Sequence, residues 1–302
     1  MEPSGVIIIN KPEGMTSHDV VNKMRRLFST RRVGHTGTLD PMATGVLVVL
    51  IGRAAKAAEY LSSDEKGYIA TLRLGTTYDT EDITGTPISV SDAIPSEDTV
   101  YTAINSFVGE ISQIPPMYSA LKVNGQKLCD LARKGVEIER EARPVTIYSI
   151  DAKKCEQSTD YILSVKCSAG TYIRTLCADI GASLGCGGAM ATLCRTLAGG
   201  FSIEDSHTLE ELEALSVEER QGLLIPTESL FNDLTAVNLP AFYEKLCRNG
   251  CEIYLNKLRL KSALTLNQRV RLCSQDGEFF ALGEVREYES GYAIKAKKLF
   301  DI

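Results

Sequence analysis

Residues 34 to 45 read Gly-His-Thr-Gly-Thr-Leu-Asp-Pro-Met-Ala-Thr-Gly, and a single acid, Asp40, stands in this run of small, polar and turn-forming residues. The run leads directly into Val46 to Ile51, a continuous apolar stretch that reads as a central strand. Backbone this rich in Gly and Thr can approach a ligand closely, because little side chain is in the way. A carboxylate presented on such a loop, with Pro41 fixing the chain after it, is placed for chemistry rather than for solubility. Asp-Pro on its own also makes an ordinary turn, so the rest of the chain has to decide between the two.

Outward from the loop, elements alternate without a regular βαβ repeat. Gly5 to Asn10 reads as a short buried strand. Thr16-Ser17 offers a helix cap, and Val20, Val21, Met24, Leu27 and Phe28 recur at helical spacing. Arg25, Arg26, Arg31 and Arg32 cluster where that helix ends, either complementing its dipole or facing phosphate beside the Asp40 loop. Arg53 to Leu61 is Ala-rich and predicts a helix. Tyr68 to Leu74 alternates like a strand ending at Gly75, and Thr76 to Thr86 reads as a polar loop. A helix is expected over Val100 to Val108. A strand and turn are expected at Ala120-Leu121-Lys122-Val123 and Asn124-Gly125, and a short helix over Leu128 to Arg133. Pro144 to Ala152 and Tyr161 to Cys167 read as a strand pair, Thr171 to Leu184 as a helix, Ala189 to Leu197 as a strand. The mixture predicts an α+β fold with a largely antiparallel sheet flanked by helices. From about residue 236 the texture changes to short strands, Arg269 to Cys273, Phe279 to Val285 and Tyr292 to Ala296, with turns at Gln275-Asp276-Gly277 and Glu289-Ser290-Gly291. This division predicts a body over residues 1–235 and a small β-rich domain over 236–302.

At 302 residues the chain has room for one large domain and a small one. No apolar run reaches the roughly 18 residues of a membrane span. The N-terminus lacks a signal peptide's basic start, and Val6 to Ile9 is too short for its apolar core, so a cytoplasmic location is expected. Nine scattered cysteines fit free thiols in a reducing compartment. Cys247 and Cys251 lie close, but no second pair or nearby His among His18, His35 and His207 completes a zinc set, so no metal is expected. Phosphate-binding, dinucleotide-binding and His-Glu-x-x-His motifs are absent, which removes most of the case for ATP, nicotinamide or zinc chemistry, and no cofactor is expected. The net charge of −6 hides an uneven distribution. Residues 201–235 carry nine acids against one base, Arg220, and residues 240–302 carry eleven bases against eight acids. Local field, not total charge, governs phosphate binding, so RNA remains a possible partner. The acidic stretch 204–220 predicts a peripheral helix with Leu209, Leu212 and Leu215 along one stripe.

Gly34-His35-Thr36-Gly37-Thr38-Leu39-Asp40-Pro41 resembles the catalytic motif of the TruB-type pseudouridine synthases. Four further segments are similar to that family's signatures in the same order: Lys11-Pro12-Glu13-Gly14-Met15-Thr16-Ser17, Tyr68 in its strand, Gly170-Thr171-Tyr172-Ile173-Arg174-Thr175, and Leu193-Cys194-Arg195. The match is strong through about residue 200 and weaker beyond. The resemblance implies a pseudouridine-synthase-like catalytic domain with a C-terminal PUA-like RNA-binding domain. It implies conversion of uridine-55 in the T-loop of tRNA to pseudouridine, by a monomer bound to the T-arm without metal, cofactor or membrane.

That isomerisation breaks the bond between ribose C1′ and uracil N1, turns the base, and rejoins C1′ to C5. It needs a carboxylate near the sugar, a dry pocket that retains the detached base, and a group to receive the C5 proton. By resemblance Asp40 is the carboxylate, attacking C1′ or taking a sugar proton. Burial alone would raise its pKa above about 3.9, so a cation must hold it charged. By resemblance that cation is Arg174, whose guanidinium stays protonated. Tyr68 would stack on the extracted uracil, and its hydroxyl could help remove the C5 proton. Tyr172 and Leu193 would line the pocket. His35 would fill the hole left by the flipped base, a flip that costs on the order of a few kcal/mol. Gly34, Thr36, Gly37 and Thr38 would shape the RNA-facing loop, and Lys11 would support it or contact phosphate. Two other readings stay open here: an RNA-folding chaperone that has lost catalysis, and a synthase that modifies ribosomal RNA with a guide RNA. Intact Asp40, Tyr68 and Arg174 argue against the first. The His of Gly-His-Thr-Gly-Thr-Leu-Asp and the short C-terminal domain argue against the second.

Overall fold

A computed structural model describes residues 2–61, 65–119, 121–123, 125–156, 158–260 and 262–300. The chain begins with β1 (Gly5–Lys11), α1 (Ser17–Leu27), β2 (Val33–Thr36) and β3 (Thr44–Ile51). β4 (Lys66–Leu74) follows, then the hairpin β5 (Thr76–Tyr78) and β6 (Pro87–Val90), α2 (Glu97–Asn105) and β7 (Gly109–Gln113). A second hairpin, β8 (Lys122–Val123) and β9 (Gln126–Lys127), runs into α3 (Leu128–Ala132). β10 (Arg143–Lys154), β11 (Asp160–Cys167), α4 (Ile173–Ser183), β12 (Gly188–Ala198) and β13 (Phe201–Ser202) complete the large sheet, in which seven strands run in the order β1-β3-β12-β4-β11-β10-β7, with β2 on β3 and β13 on β12. Its pairs are antiparallel except β12 with β3, which is parallel and touches only at Cys194–Thr44 and Arg195–Gly45. The expected α+β class and largely antiparallel sheet are therefore present.

The apolar patterns follow from what covers each strand. β3 is buried on both faces. Leu47, Val49 and Ile51 pack with α1 and with Leu209 and Leu212, while Val46, Val48 and Leu50 pack with Ala54, Ala57 and the C-terminal Leu282 and Phe300. A strand covered on both sides has no polar face to show, hence the unbroken run. β11 alternates instead: Tyr161, Leu163, Val165 and Cys167 point into the core, and Ile162, at 40% exposure, points out with Ser164 and Lys166. α4 covers the inward face of this half through Ile173, Leu176, Cys177 and Ile180. It lies so close that a Cβ on Gly181 would stand 2.2 Å from the backbone nitrogen of Gly188.

The acidic stretch forms two short helices, α5 (Leu209–Ala214) and α6 (Val217–Gly222), rather than one. Thr208 and Ser216 each close a capping box, so the local polar pattern that starts the second helix also ends the first. Leu209 and Leu212 dock on β1 and α1, and His207 exchanges backbone hydrogen bonds with Ile8 and Asn10. A second sheet of β14 (Thr235–Asn238), β15 (Ile253–Tyr254), β16 (Arg269–Cys273), β17 (Phe279–Tyr288) and β18 (Gly291–Leu299), ordered β14-β16-β17-β18-β15, packs with α7 (Ala241–Arg248) around its own core. Phe231, Phe279 and Phe300 meet at centroid distances of 5.3 to 5.9 Å and join this core to the large sheet.

Other departures are local. Residues 52–60 form a 3₁₀ helix. α2 starts three residues before Val100, where Ser96 caps it and accepts from Thr99, and it ends at Asn105. The stretch from Thr76 to Thr86 is the first strand and turn of a hairpin, because Thr76 and Thr77 pair with Val90 and Ser89. Ala120 and Asn124 of the expected strand and turn lie outside the described residues. α7 was not expected, although Pro240 before it, Tyr243, Leu246 and Cys247 at helical spacing and Lys245 and Arg248 in its last turn spell a helix. No helix among the described residues is long and apolar enough to cross a membrane.

Candidate active site

The Asp40 loop hangs from three elements. The Ser17 hydroxyl, in the first turn of α1, accepts from the Leu39 amide at 2.9 Å and donates to the Leu39 carbonyl. The Pro41 carbonyl accepts from the Gly14 amide at 2.8 Å and from Lys11 Nζ at 3.2 Å. Arg195 Nη2 donates to the Gly37 carbonyl at 3.0 Å from beneath. Where the loop enters β3, Gly45 has φ +96°, and a Cβ there would lie 2.2 Å from the Arg195 carbonyl oxygen, so only glycine lets β12 cross.

Arg174 sits in the first turn of α4, 5% exposed, and its Nε meets Asp40 Oδ2 at 3.0 Å. Its other donors reach the Thr80 carbonyl (3.1 Å) and the Tyr118 carbonyl (2.7 Å), and Nη1 lies 3.8 Å from the buried carboxylate of Asp82. This fixed fork holds the guanidinium in one plane and aims it at Asp40. Burial pushes the Asp40 carboxyl above its ordinary range. Arg174 pulls it back only in part, and the nearby negative charge of Asp82 adds to the upward push. A carboxylate with a raised pKa is, once ionised, a stronger proton acceptor than an ordinary one.

Two chambers open on this pair. An inner one of about 350 Å³ is lined by Asp40, Tyr68, Tyr172, Arg174, Leu193 and Arg195, with Gly37 and Thr38 at its edge. An outer one of about 640 Å³ shares Thr38, Asp40 and Arg174 and adds His18, His35, Asp82 and Tyr118. Tyr68 projects from β4 on the face that carries Ala70 and Leu72 into the core, and burial pushes its phenol up. Tyr172 caps α4, where both of its backbone groups are held by the side chain of Gln113 (3.0 and 3.2 Å). His35 is half-buried on β2. Its Nδ1 has no hydrogen-bond partner, and burial lowers its pKa, with Arg195 and His18 acting in the same direction.

The structure thus brings Asp40, Tyr68, Arg174, Tyr172, Leu193, Gly37 and Thr38 to one chamber, with His35 in the adjoining outer one. Gly34 and Thr36 line neither chamber; they pair with Leu50 and Val48 as the β2 edge. Lys11 is fully buried, and its ammonium donates to the carbonyls of Pro12, Met15 and Pro41, so of its two expected roles only support of the loop has geometry behind it. Burial draws its pKa down to about 8. Three residues of the site carried no assignment from sequence. Asp82 looked like any acid of a polar turn, and Gln113 like any strand residue. Arg195 had a usable signal: it shares the inward face of β12 with Leu193, where a charge is out of place.

Comparison with known proteins places the chain in a family. Residues 25–173 match the family model "TruB family pseudouridylate synthase (N terminal domain)", and residues 174–232 match "tRNA pseudouridylate synthase B C-terminal domain". The chain belongs to the TruB family of pseudouridylate synthases. It is 47% identical over 300 residues to tRNA pseudouridine synthase B of Alkaliphilus oremlandii, covering 99% of each chain. It is 43% identical over 297 residues to the protein of the same name from Clostridium kluyveri, covering 98% of this chain and 99% of that one. Among solved structures, a chain of a Cbf5-Nop10-Gar1 complex superposes with a TM-score of 0.73 at 27% identity, over 98% of this chain and 84% of that chain. The boundary between the two family models falls inside α4 and marks no break in the fold.

Proposed function

We infer that this protein is a tRNA pseudouridine synthase, an isomerase that converts uridine-55 in the T-loop to pseudouridine after flipping the base out of its stack. The observation that carries the reading is the ion pair of Asp40 with Arg174, facing Tyr68 across one chamber of uracil-accommodating size. Two relatives named tRNA pseudouridine synthase B match 99% and 98% of this chain, which favours a stand-alone tRNA enzyme over a guide-dependent or non-catalytic one.

Asp40 acts at C1′ or on a ribose proton, with Arg174 keeping it ionised against the cost of burial. Tyr68 lies over the uracil plane and faces the C5 proton. Tyr172 and Leu193 close the apolar walls that retain the detached base. His35, held neutral in the outer chamber, occupies the place the base has left. The body, residues 1–235, performs the chemistry on the T-arm. The β-rich part, 236–302, adds a mildly basic RNA-facing surface. The protein acts as a cytoplasmic monomer, with no group beyond its own side chains. Incubation with an unmodified tRNA transcript, followed by carbodiimide treatment and primer extension, should give a stop reporting pseudouridine at position 55. A stop elsewhere, or none, contradicts the reading.

A further inference from the structure

We propose that Arg195 is a positioning residue for the isomerisation, one cation that fixes both the Asp40 loop and the Tyr68 hydroxyl. The inference rests on the function proposed above and deepens it.

Arg195 is 2% exposed on the inward face of β12 and borders the inner chamber. Its Nε donates to the Val46 carbonyl at 2.8 Å, which pins the guanidinium plane to β3, and Nη2 donates to the Gly37 carbonyl at 3.0 Å. Tyr68 lines the same inner chamber, close enough for the guanidinium and the phenol to act on each other electrostatically. Tyr68 and Arg195 are direct partners in the β4–β12 register, so the two backbones already set their side chains together. No carboxylate among the described residues stands within ion-pair distance of this guanidinium; Asp40 and Asp82 both go to Arg174.

A buried cation without a carboxylate is expensive, and an apolar side chain of similar volume would pack at this inward position without that cost. Two carbonyls accept from its donors but leave its charge facing the chamber. Guanidinium can only donate, so in a hydrogen bond between the two Tyr68 accepts, and its phenol hydrogen is left for the chamber. The same guanidinium opposes the upward push of burial on the Tyr68 phenol. Through Gly37 it also sets the height of the loop that carries Asp40. The carboxylate that acts at the sugar and the hydroxyl that faces the base therefore share one anchor on the seam between β3 and β4.

The test is a double-substitution cycle in the full-length protein: Arg195→Met, Arg195→Lys, Tyr68→Phe and the combinations, assayed for single-turnover pseudouridine formation and, separately, for tRNA binding. Arg195→Met should slow the reaction at least about tenfold while changing the binding constant less than about twofold. Lysine, which restores charge but not the fork, should recover part of the loss. With Phe at position 68, Arg195→Lys should cost several-fold less than it does beside Tyr68. If the Met variant does not fold, the Lys variant carries the cycle. An independent reading uses protein labelled with ¹³C at tyrosine Cζ: the Tyr68 resonance should shift in Arg195→Lys. Equal losses with and without the Tyr68 hydroxyl, a loss confined to tRNA binding, or an unmoved Tyr68 resonance would each overturn the inference. A wild type that forms no pseudouridine would sink the proposed function instead.

Discussion

β1 and β3, at one end of the large sheet, are apolar on both faces, whereas β4 and β11, on the far side of β12, are apolar on one. The first half is clamped between α1 and α5 on one side and the C-terminal sheet on the other. The second carries α4 on its inward face and leaves Ile69 and Ile162 at 44% and 40% exposure on the other. β12 lies between the halves and touches β3 at only two residue pairs before the strands part. The site occupies that parting, with Asp40 on the loop entering β3 and Tyr68 on β4, and with Arg195 on the strand between them. A sheet interior normally closes such gaps with side chains. Here a glycine at the crossing and two buried guanidiniums hold it open.

The largest expected effect breaks the seam itself. Arg174→Met should cost about 3 kcal/mol or more in urea-induced unfolding, because it leaves the buried Asp82 carboxylate without its countercharge and two carbonyls without their donor. It should abolish turnover as well. A variant as stable as wild type would mean that the cluster is not held together by charge.

The next prediction sharpens the contrast between halves. Leu47→Ala, on the strand covered on both faces, should cost roughly 2–5 kcal/mol, while Ile162→Ala on the open face should cost less than about 1 kcal/mol. Equal losses would show that the open face is covered in solution.

A smaller effect reads the electrostatics. Because the folded pKa of Asp40 is raised, the folded state binds a proton more tightly than the unfolded chain, so this group's contribution to stability is lost as pH rises through the folded pKa. Wild type should therefore lose stability relative to Asp40→Asn as pH climbs past the ordinary aspartate value of about 3.9. The acid limb of the turnover profile should lie above that value. Asp82→Asn should move the limb to lower pH, since Asp82 adds to the upward push. A limb that stays in place would remove Asp82 from the electrostatic account.

Much of this arrangement was legible in the sequence. The unbroken run of β3, the alternation of β4 and β11 and the Gly/Thr loop around Asp40 are local patterns that burial and turn chemistry impose. Arg174 and Tyr68 were legible through the segments around them. What stayed hidden depends on partners far along the chain. Asp82 faces Arg174 only because the turn after β5 hangs by backbone hydrogen bonds from Met190 of β12. Gln113 holds Tyr172 from the end of β7, 59 residues away. Lys11 was legible as a support of the loop or a phosphate contact, and the choice between them came only when the fold wrapped three carbonyls around it. The split of the acidic stretch was visible in principle, since Ser216 and Glu219 spell a second capping box three residues apart.

The most direct test of the central claim, that Asp40 at this seam drives the rearrangement, uses tRNA transcribed with tritium at uridine C5. Wild type should release tritium without added metal, and Asp40→Asn should release none while still binding the tRNA. Release by Asp40→Asn at the wild-type rate, or none by wild type from tRNA that it binds, would contradict the account.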